Sequence, residues 1–329
     1  MTHEDIISLA LALLLAFTVS MPELPEVQTT VDGLRHTVIG RRIIDAWSSY
    51  DSPYFKGSET IKDPVYFKRF KKEVLGKKII AAERRAKNIL IGLSGGLTIL
   101  VHMKMTGHLL YGAYSFDKKN AKDPWQGVAP AGLRDPFNRH IRFLLQLDNG
   151  KSLALSDMRK FGKVTALLTS DMHRSAHLRD IGPEPLDGSF TFERFIERLN
   201  RKPHGKVKQV IMDQSIIAGI GNIYADESLW RAGIHPAERV KNITSAKLRS
   251  LFLAMKKVLS GGIALGGSST SDYRNIHGEM GTSQEAHRAY QRTGEKCTKP
   301  RCGGTIRRMT IGTRGTHYCD KHQLLSNKR

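Results

Sequence analysis

The chain has 329 residues, 40% hydrophobic and 25% charged, which describes a soluble globular protein with room for about two or three domains. Lysine and arginine number 52 against 31 acidic residues, a formal net charge of +21, so a polyanionic partner is favoured, nucleic acid ahead of an anionic membrane. Three cysteines, all beyond residue 296, exclude a secreted disulfide scaffold and suit a metal clip in a reducing compartment.

Residues 6–19 form a mostly apolar run, shorter than the roughly 20 residues a membrane helix needs. Glu4 and Asp5 stand where a signal peptide carries cations. Residues 1–21 are therefore expected to be a mis-assigned start or a short removable leader, ahead of a secretion signal or an anchor. Next comes Met21-Pro22-Glu23-Leu24-Pro25-Glu26-Val27, itself a start-like sequence. With Met21 and everything before it removed, Pro22 becomes an N-terminal secondary amine beside a carboxylic acid, and such an amine is a nucleophile. Within an intact chain the same nitrogen is a tertiary amide, without an N–H or a usable lone pair.

A helix is expected over 28–38, followed by short β-branched or apolar runs at 42–46, 78–84, 89–93, 97–103, 141–147, 151–155 and 164–168. Turn signals such as Ser94-Gly95-Gly96 and Asp148-Asn149-Gly150 separate them, which indicates a mostly antiparallel β domain ending near Leu168. The polar stretch 111–138, which contains Pro and Gly, reads as a long loop. A helical region follows, with helices at 192–200 capped by Thr191, 207–212, 222–232, and 245–259 capped by Thr244. Residues 260–271 are Gly/Ser-rich and the chain stays polar to about Ala286, a flexible loop by composition. Residues 290–323 read as a small β-hairpin module.

That module carries Cys297-x4-Cys302 and, after sixteen intervening residues, Cys319-x2-His322. Two close ligand pairs separated by a hairpin suit one tetrahedral zinc ion, and a closed Cys3His shell is structural rather than catalytic. Its expected role is to stiffen a hairpin whose loop, 310–316, presents Arg314 to a phosphate. Two glycines, Gly219 and Gly221, precede the helix starting near Asn222. The backbone N–H groups there form either an anion site for a DNA phosphate or an ordinary cap made by Asn222.

Seven ordered features resemble one family, the formamidopyrimidine-DNA glycosylases, relatives of endonuclease VIII. They are PELPEV at 22–27, RRAKNIL at 84–90, HMKMTGHL at 102–109, DMRKFG at 157–162, IGPEPL at 181–186, IAGIGNIYADESLWRAGIHP at 217–236 and the cysteine module. The resemblance spans Pro22 to Gln323. It implies an α+β, multidomain fold: an N-terminal catalytic β-sandwich over 22–168, a helix-two-turn-helix domain with a lesion-capping loop over 169–286, a C-terminal zinc-finger β-hairpin over 287–323, and a tail over 324–329.

The resemblance also implies a bifunctional DNA glycosylase and AP lyase acting on oxidised purines in double-stranded damaged DNA. Such a protein would be a cytoplasmic monomer with one structural zinc ion and no membrane partner. Pro22 matches the family's nucleophile and Glu23, by itself readable as a solvated charge, its acid. Lys87 matches a lysine of phosphate contact and proton transfer, and Arg314 the arginine of δ-elimination. His140, Arg159, Lys202 and Asn222 match DNA-contacting positions. Met105, Arg159 and Phe161 match the residues that fill the gap left by a flipped base. The chain departs from many relatives in the four-residue first cysteine gap, in His322 as last ligand, in the longer loop at 111–138 and in a polar capping segment at 266–284. The alternatives are an endonuclease VIII-like enzyme for oxidised pyrimidines and, with residues 1–21 retained, a non-catalytic zinc-dependent DNA-binding protein.

Overall fold

The computed structural model describes residues 21–326; apart from Met21, the segment expected to be a leader lies outside them, as does the end of the tail. Helix α1 (Leu24–Thr37) opens with Pro25 in its first turn and has Val27, Val31 and Leu34 buried. These three join the core of the following β-structure, whereas Leu24 joins the core of the helical region. One helix thus ties both domains together.

The β-structure comprises β1 (Ile43–Ser48), β2 (Ile79–Arg85), β3 (Asn88–Leu93), β4 (Leu97–His102), β5 (His108–Phe116), β6 (Trp125–Ala129), β7 (Ile141–Leu147), β8 (Ser152–Ser156) and β9 (Lys163–Leu168). They form two sheets, β1-β7-β8-β5-β6 and β2-β3-β4-β9, with antiparallel pairing throughout. Ile91, Ile99 and Val101 from one sheet and Phe143, Leu145 and Leu155 from the other share a core, as a β-sandwich requires. Helix α2 (Pro64–Val74), absent from the sequence reading, starts at Asp63, whose carboxylate accepts from the Val65 N–H at 3.0 Å. It buries Tyr66, Phe70 and Val74, one stripe at four-residue spacing.

The long loop expected over 111–138 is structured. Most of β5 and all of β6 fall inside it, and Trp125 packs on Trp47 and Phe116 with ring centroids 6.1 and 4.9 Å apart. Only the connection between the two strands keeps the loop character that its Asp, Lys and Pro residues announce.

The helical region contains α3 (Phe192–Leu199), α4 (Val207–Met212), α5 (Asn222–Ala232) and α6 (Ser245–Ala264). Thr191 and Thr244 cap as expected, accepting from the Arg194 and Lys247 N–H groups. Helix α6 runs past the expected end at residue 259, through Gly261 and Gly262. A Cβ at Gly262 would lie 2.6 Å from the Tyr224 ring, so this glycine serves close packing of α6 on α5 rather than flexibility. The segment after it is also packed: Ser268, Ser269, Tyr273, Arg274 and Ile276 are buried. Arg274 pairs with Asp135 at 3.0 Å, and the Asn138 side-chain amide donates to the Gly278 carbonyl at 3.1 Å. The insertion thus grips the segment read as flexible. Strands β10 (Ile306–Ile311) and β11 (Arg314–Cys319) form the terminal hairpin, turning at Gly312-Thr313, both with positive φ.

Candidate active site

Pro22 and Glu23 are buried where α1 meets the N-terminus of α5. The Leu24 N–H donates to the Gly219 carbonyl at 3.0 Å, clasping the glycine loop against the start of α1. The Glu23 carboxylate then accepts from the Gly221, Ile223 and Tyr224 N–H groups at 2.7, 2.9 and 3.4 Å. This corrects the expectation of a phosphate site at this helix start: Glu23 occupies the donors. Asn222 does not cap the helix either. Gly221 is the cap residue, and the Asn222 amide donates to the Gly315 carbonyl of the terminal hairpin at 3.0 Å.

Burial pushes the Glu23 carboxyl up to about 7; Lys87 opposes the rise, Glu26 adds to it, and the helix amides oppose it. Such a group holds its proton near neutrality and can give it up, as a general acid must. Beside it, Glu26 accepts from the Glu23 N–H at 2.8 Å, the Tyr224 hydroxyl at 2.7 Å and the Ser268 N–H at 2.7 Å. Glu26 was not singled out from sequence, although it lies in PELPEV.

Lys87 lies in the two-residue turn between β2 and β3, where Ala86 has φ +53°. Glu184 fixes that turn: it pairs with Arg84 at 2.5 Å and Arg85 at 3.0 Å and accepts from the Ala86 N–H at 2.6 Å. A Cβ on Gly221 would fall 2.4 Å from the Glu23 carboxyl carbon and 2.7 Å from Lys87 Nζ. Acid and lysine therefore converge on one glycine, which only a residue without a side chain can fill. Burial lowers the Lys87 ammonium's proton affinity; Glu23 and Glu26 oppose this and Arg314 reinforces it.

Arg314 is exposed at the hairpin turn. Behind it the hairpin is moored by a buried ion pair, Lys208 to Asp226 at 2.7 Å, with Lys208 also donating to the Thr316 hydroxyl at 2.8 Å. Asp226 accepts in turn from the His317 N–H at 2.8 Å. Sequence reading missed Lys208, Asp226 and Glu184, because the hairpin and β2–β3 groups they hold lie about a hundred residues away along the chain.

The structure brings Met105, Arg159 and Phe161 together. The Arg159 guanidinium lies 4.6 Å from the Phe161 ring centre and 3.6 Å from Met105 Sδ. The buried Asp157 carboxylate sets their loops by accepting from Tyr50, Thr106 and the Gly162 N–H at 2.8, 2.6 and 2.6 Å. His140 stands apart among Asp123, Arg139 and Arg142, its proton affinity lowered by burial. Lys202 is removed from both groups and is ion-paired with Asp213.

Cys297, Cys302, Cys319 and His322 place their ligand atoms within 4.8 Å of one another, a cluster that could hold a metal ion. The donors suit one: the Trp230 indole N–H points at Cys297 Sγ at 3.3 Å, and His322 Nε2 bonds the Trp230 carbonyl at 3.0 Å, leaving Nδ1 towards the sulfurs.

Two family domains match this sequence. The formamidopyrimidine-DNA glycosylase N-terminal domain matches residues 21–164 and the H2TH domain of the same glycosylases residues 181–274. A formamidopyrimidine-DNA glycosylase of a Roseiflexus strain is 37% identical over 303 residues, 92% of this chain and 100% of that protein. The chain belongs to the formamidopyrimidine-DNA glycosylase family. A Chloroflexus aggregans glycosylase of that name is 38% identical over 310 residues, 93% of this chain and 99% of that protein. Among solved structures, a mutant Lactococcus lactis Fpg with DNA containing Fapy-dG superposes with TM-score 0.76 at 29% identity, covering 92% of this chain and 99% of that one. Thermus thermophilus MutM gives 0.72 at 32%, covering 92% and 98%. Among the described residues no helix is long and apolar enough to cross a membrane.

Proposed function

We propose that this glycosylase is a bifunctional DNA glycosylase and AP lyase of base-excision repair, removing oxidised purines such as 8-oxoguanine and formamidopyrimidines from double-stranded DNA as a cytoplasmic monomer. The observation that carries the reading is the buried Glu23 carboxyl beside Pro22, poised at about 7 and crowded against Lys87. The active form begins at Pro22, in keeping with a family match that starts at residue 21.

The freed Pro22 amine attacks C1′ of the damaged nucleoside, and the base leaves with the electron pair of the broken C1′–N bond. Glu23 gives its proton to the ring oxygen, the C1′–O4′ bond opens, and the nitrogen lone pair makes an iminium. The iminium acidifies C2′; loss of that proton, with Lys87 serving the transfer, expels the 3′ phosphate. Arg314 assists the second elimination, which expels the 5′ phosphate. A stacked base cannot reach Pro22, so the lesion is extruded and Met105 and Phe161 fill the gap while Arg159 meets the unpaired partner base. His140, Lys202 and Asn222 contribute DNA contacts by their motif positions. Cys297, Cys302, Cys319 and His322 would hold one zinc ion, whose bonds cross-link the hairpin that carries Arg314.

Protein beginning at Pro22 is expected to form a covalent adduct with 8-oxoguanine duplex under borohydride; failure to trap one refutes the mechanism. Faster cleavage of a thymine-glycol duplex than of the 8-oxoguanine duplex would instead assign the pyrimidine-directed activity.

A further inference from the structure

A cleft of about 600 Å³ opens beside Phe161, lined by Lys62, Lys104, Lys163 and His177, with Glu59 its one carboxylate. A smaller cleft of about 290 Å³ shares Lys104, Lys163 and His177 and continues to Lys87. The basic group therefore lies between the gap-filling phenylalanine and the lysine of the reaction centre. Glu59 faces Arg69 at 3.5 Å on the exposed side. Lys62 is only 6% exposed, and its ammonium rests over the rings of Phe55 and Tyr50 at 4.7 and 5.6 Å, with no ion-pair partner among the described residues. A buried ammonium is costly unless it is paired, and the nearby Asp157 carboxylate, already holding Tyr50, Thr106 and Gly162, offsets only part of that cost. Lys163 Nζ lies 3.2 Å from His177 Nδ1, so the other imidazole nitrogen is left to donate. Lys104 holds φ +59°, a left-handed conformation that favours glycine. Burial lowers the proton affinity of both Lys62 and Lys163; Asp157 opposes this at Lys62 while Lys104 and Lys163 reinforce it, and at Lys163 Lys104 reinforces it while Glu59 opposes.

We propose that this cleft is an anion subsite in which Lys62, Lys104, Lys163 and His177 take a phosphate group of the damaged strand. The proposal rests on the DNA-directed reading above. The crowding of three lysines around a cleft lined by one carboxylate makes sense with an anion among them: the repulsion between the ammonium groups is relieved, and Lys62 gains a negative charge beyond that of Asp157. The phosphate comes either from an internal phosphodiester of the uncut strand or from the phosphomonoester end left by strand cleavage.

The test measures binding of the full chain to an uncut duplex carrying a tetrahydrofuran lesion analogue, and to a one-nucleotide-gapped duplex with phosphorylated or unphosphorylated ends, across a salt series. Lys163→Gln and Lys104→Gly are each expected to weaken binding and to flatten the slope of log affinity against log salt by about one, the yield of one lost phosphate contact. Lys104→Gly also melts higher than the parent, since glycine suits the backbone there and a repelled charge is gone. Weakening on the uncut duplex assigns the phosphodiester; weakening confined to phosphorylated ends assigns the phosphomonoester. Unchanged slopes on both DNAs overturn the proposal, whatever the melting temperature. The borohydride adduct of parent protein beginning at Pro22 reports on the enzyme reading alone, so each can fail without the other.

Discussion

Replacing Glu23 with glutamine separates the stability of this fold from its chemistry. The Glu23 carboxyl titrates at about 7 instead of 4.5, chiefly because burial disfavours its charged form. A carboxyl whose folded-state pKa is raised loses its proton first in the unfolded chain as pH rises. Its contribution to stability is therefore intact below about pH 4.5 and declines as pH climbs to 7. At about 1.4 kcal/mol per unit, the interval from 4.5 to about 7 amounts to about 3 kcal/mol lost by pH 8. Glutamine has no charge to desolvate, but it offers one acceptor oxygen to amides that now share two, which takes back about 1 kcal/mol.

Glu23→Gln should accordingly be about 2 kcal/mol more stable than the parent at pH 8 and about 1 kcal/mol less stable at pH 4.5. Thermal melts at half-unit pH intervals should give two curves of melting temperature that cross at roughly pH 5, in the lower part of the titration. Borohydride adduct formation should be abolished or strongly reduced in the same protein, because the proton for the ring oxygen is gone. Parallel curves, or a variant that melts below the parent at pH 8, would refute the argument that burial sets this proton affinity.

Gly262→Ala forces a methyl to within 2.6 Å of the Tyr224 ring, so it should cost about 1–3 kcal/mol by overpacking; an unchanged melting temperature would mean that α5 and α6 are not closely locked there. Cys319→Ser leaves two thiolates and His322, and should lose bound zinc and DNA affinity together while far-UV helical signal persists, since the core of α5 and α6 lies elsewhere. Metal analysis showing stoichiometric zinc with full affinity contradicts this. Asp135→Asn strips the carboxylate from the buried Arg274, so hydrogen exchange across 266–284 should accelerate at a cost of about 1–3 kcal/mol; unchanged protection would show that the insertion does not hold that segment.

The limits of the sequence reading follow from what glycine and charge can mean. Strands such as β7 and helices such as α5 were legible because their patterns are local: an apolar run bounded by turn residues, or a stretch opened by Gly221 and closed by Gly233. Gly127 and Gly262 instead read as loop signals, yet they mark close approach, a Cβ on Gly127 falling 2.5 Å from Leu133. A sequence does not distinguish a glycine that bends the chain from one that admits a neighbour. The residues proposed to react stand in motifs, whereas the groups that position them do not. Glu184 reaches Ala86 across 98 residues and Glu23 reaches Gly221 across 198, so no local pattern announces either bond.

Helix α5 explains how such distant groups reach one place. Its N-terminal amides hold the Glu23 carboxylate. Asn222, Asp226 and Trp230, four residues apart and so on one face, bind Gly315, His317 and His322 of the hairpin. The same eleven-residue helix thus fixes the acid from the N-terminal domain and the hairpin that carries Arg314. It also contributes to the acid's strength: burial raises the carboxyl, Lys87 is the main opposing charge, Glu26 adds to the rise, and the helix amides join Lys87 in favouring the carboxylate, with the balance at about 7. Any loosening of α5 that lengthened those hydrogen bonds would leave burial less opposed and push the Glu23 proton affinity higher. The moorings on the far face of this helix therefore bear on the chemistry without touching the reacting atoms.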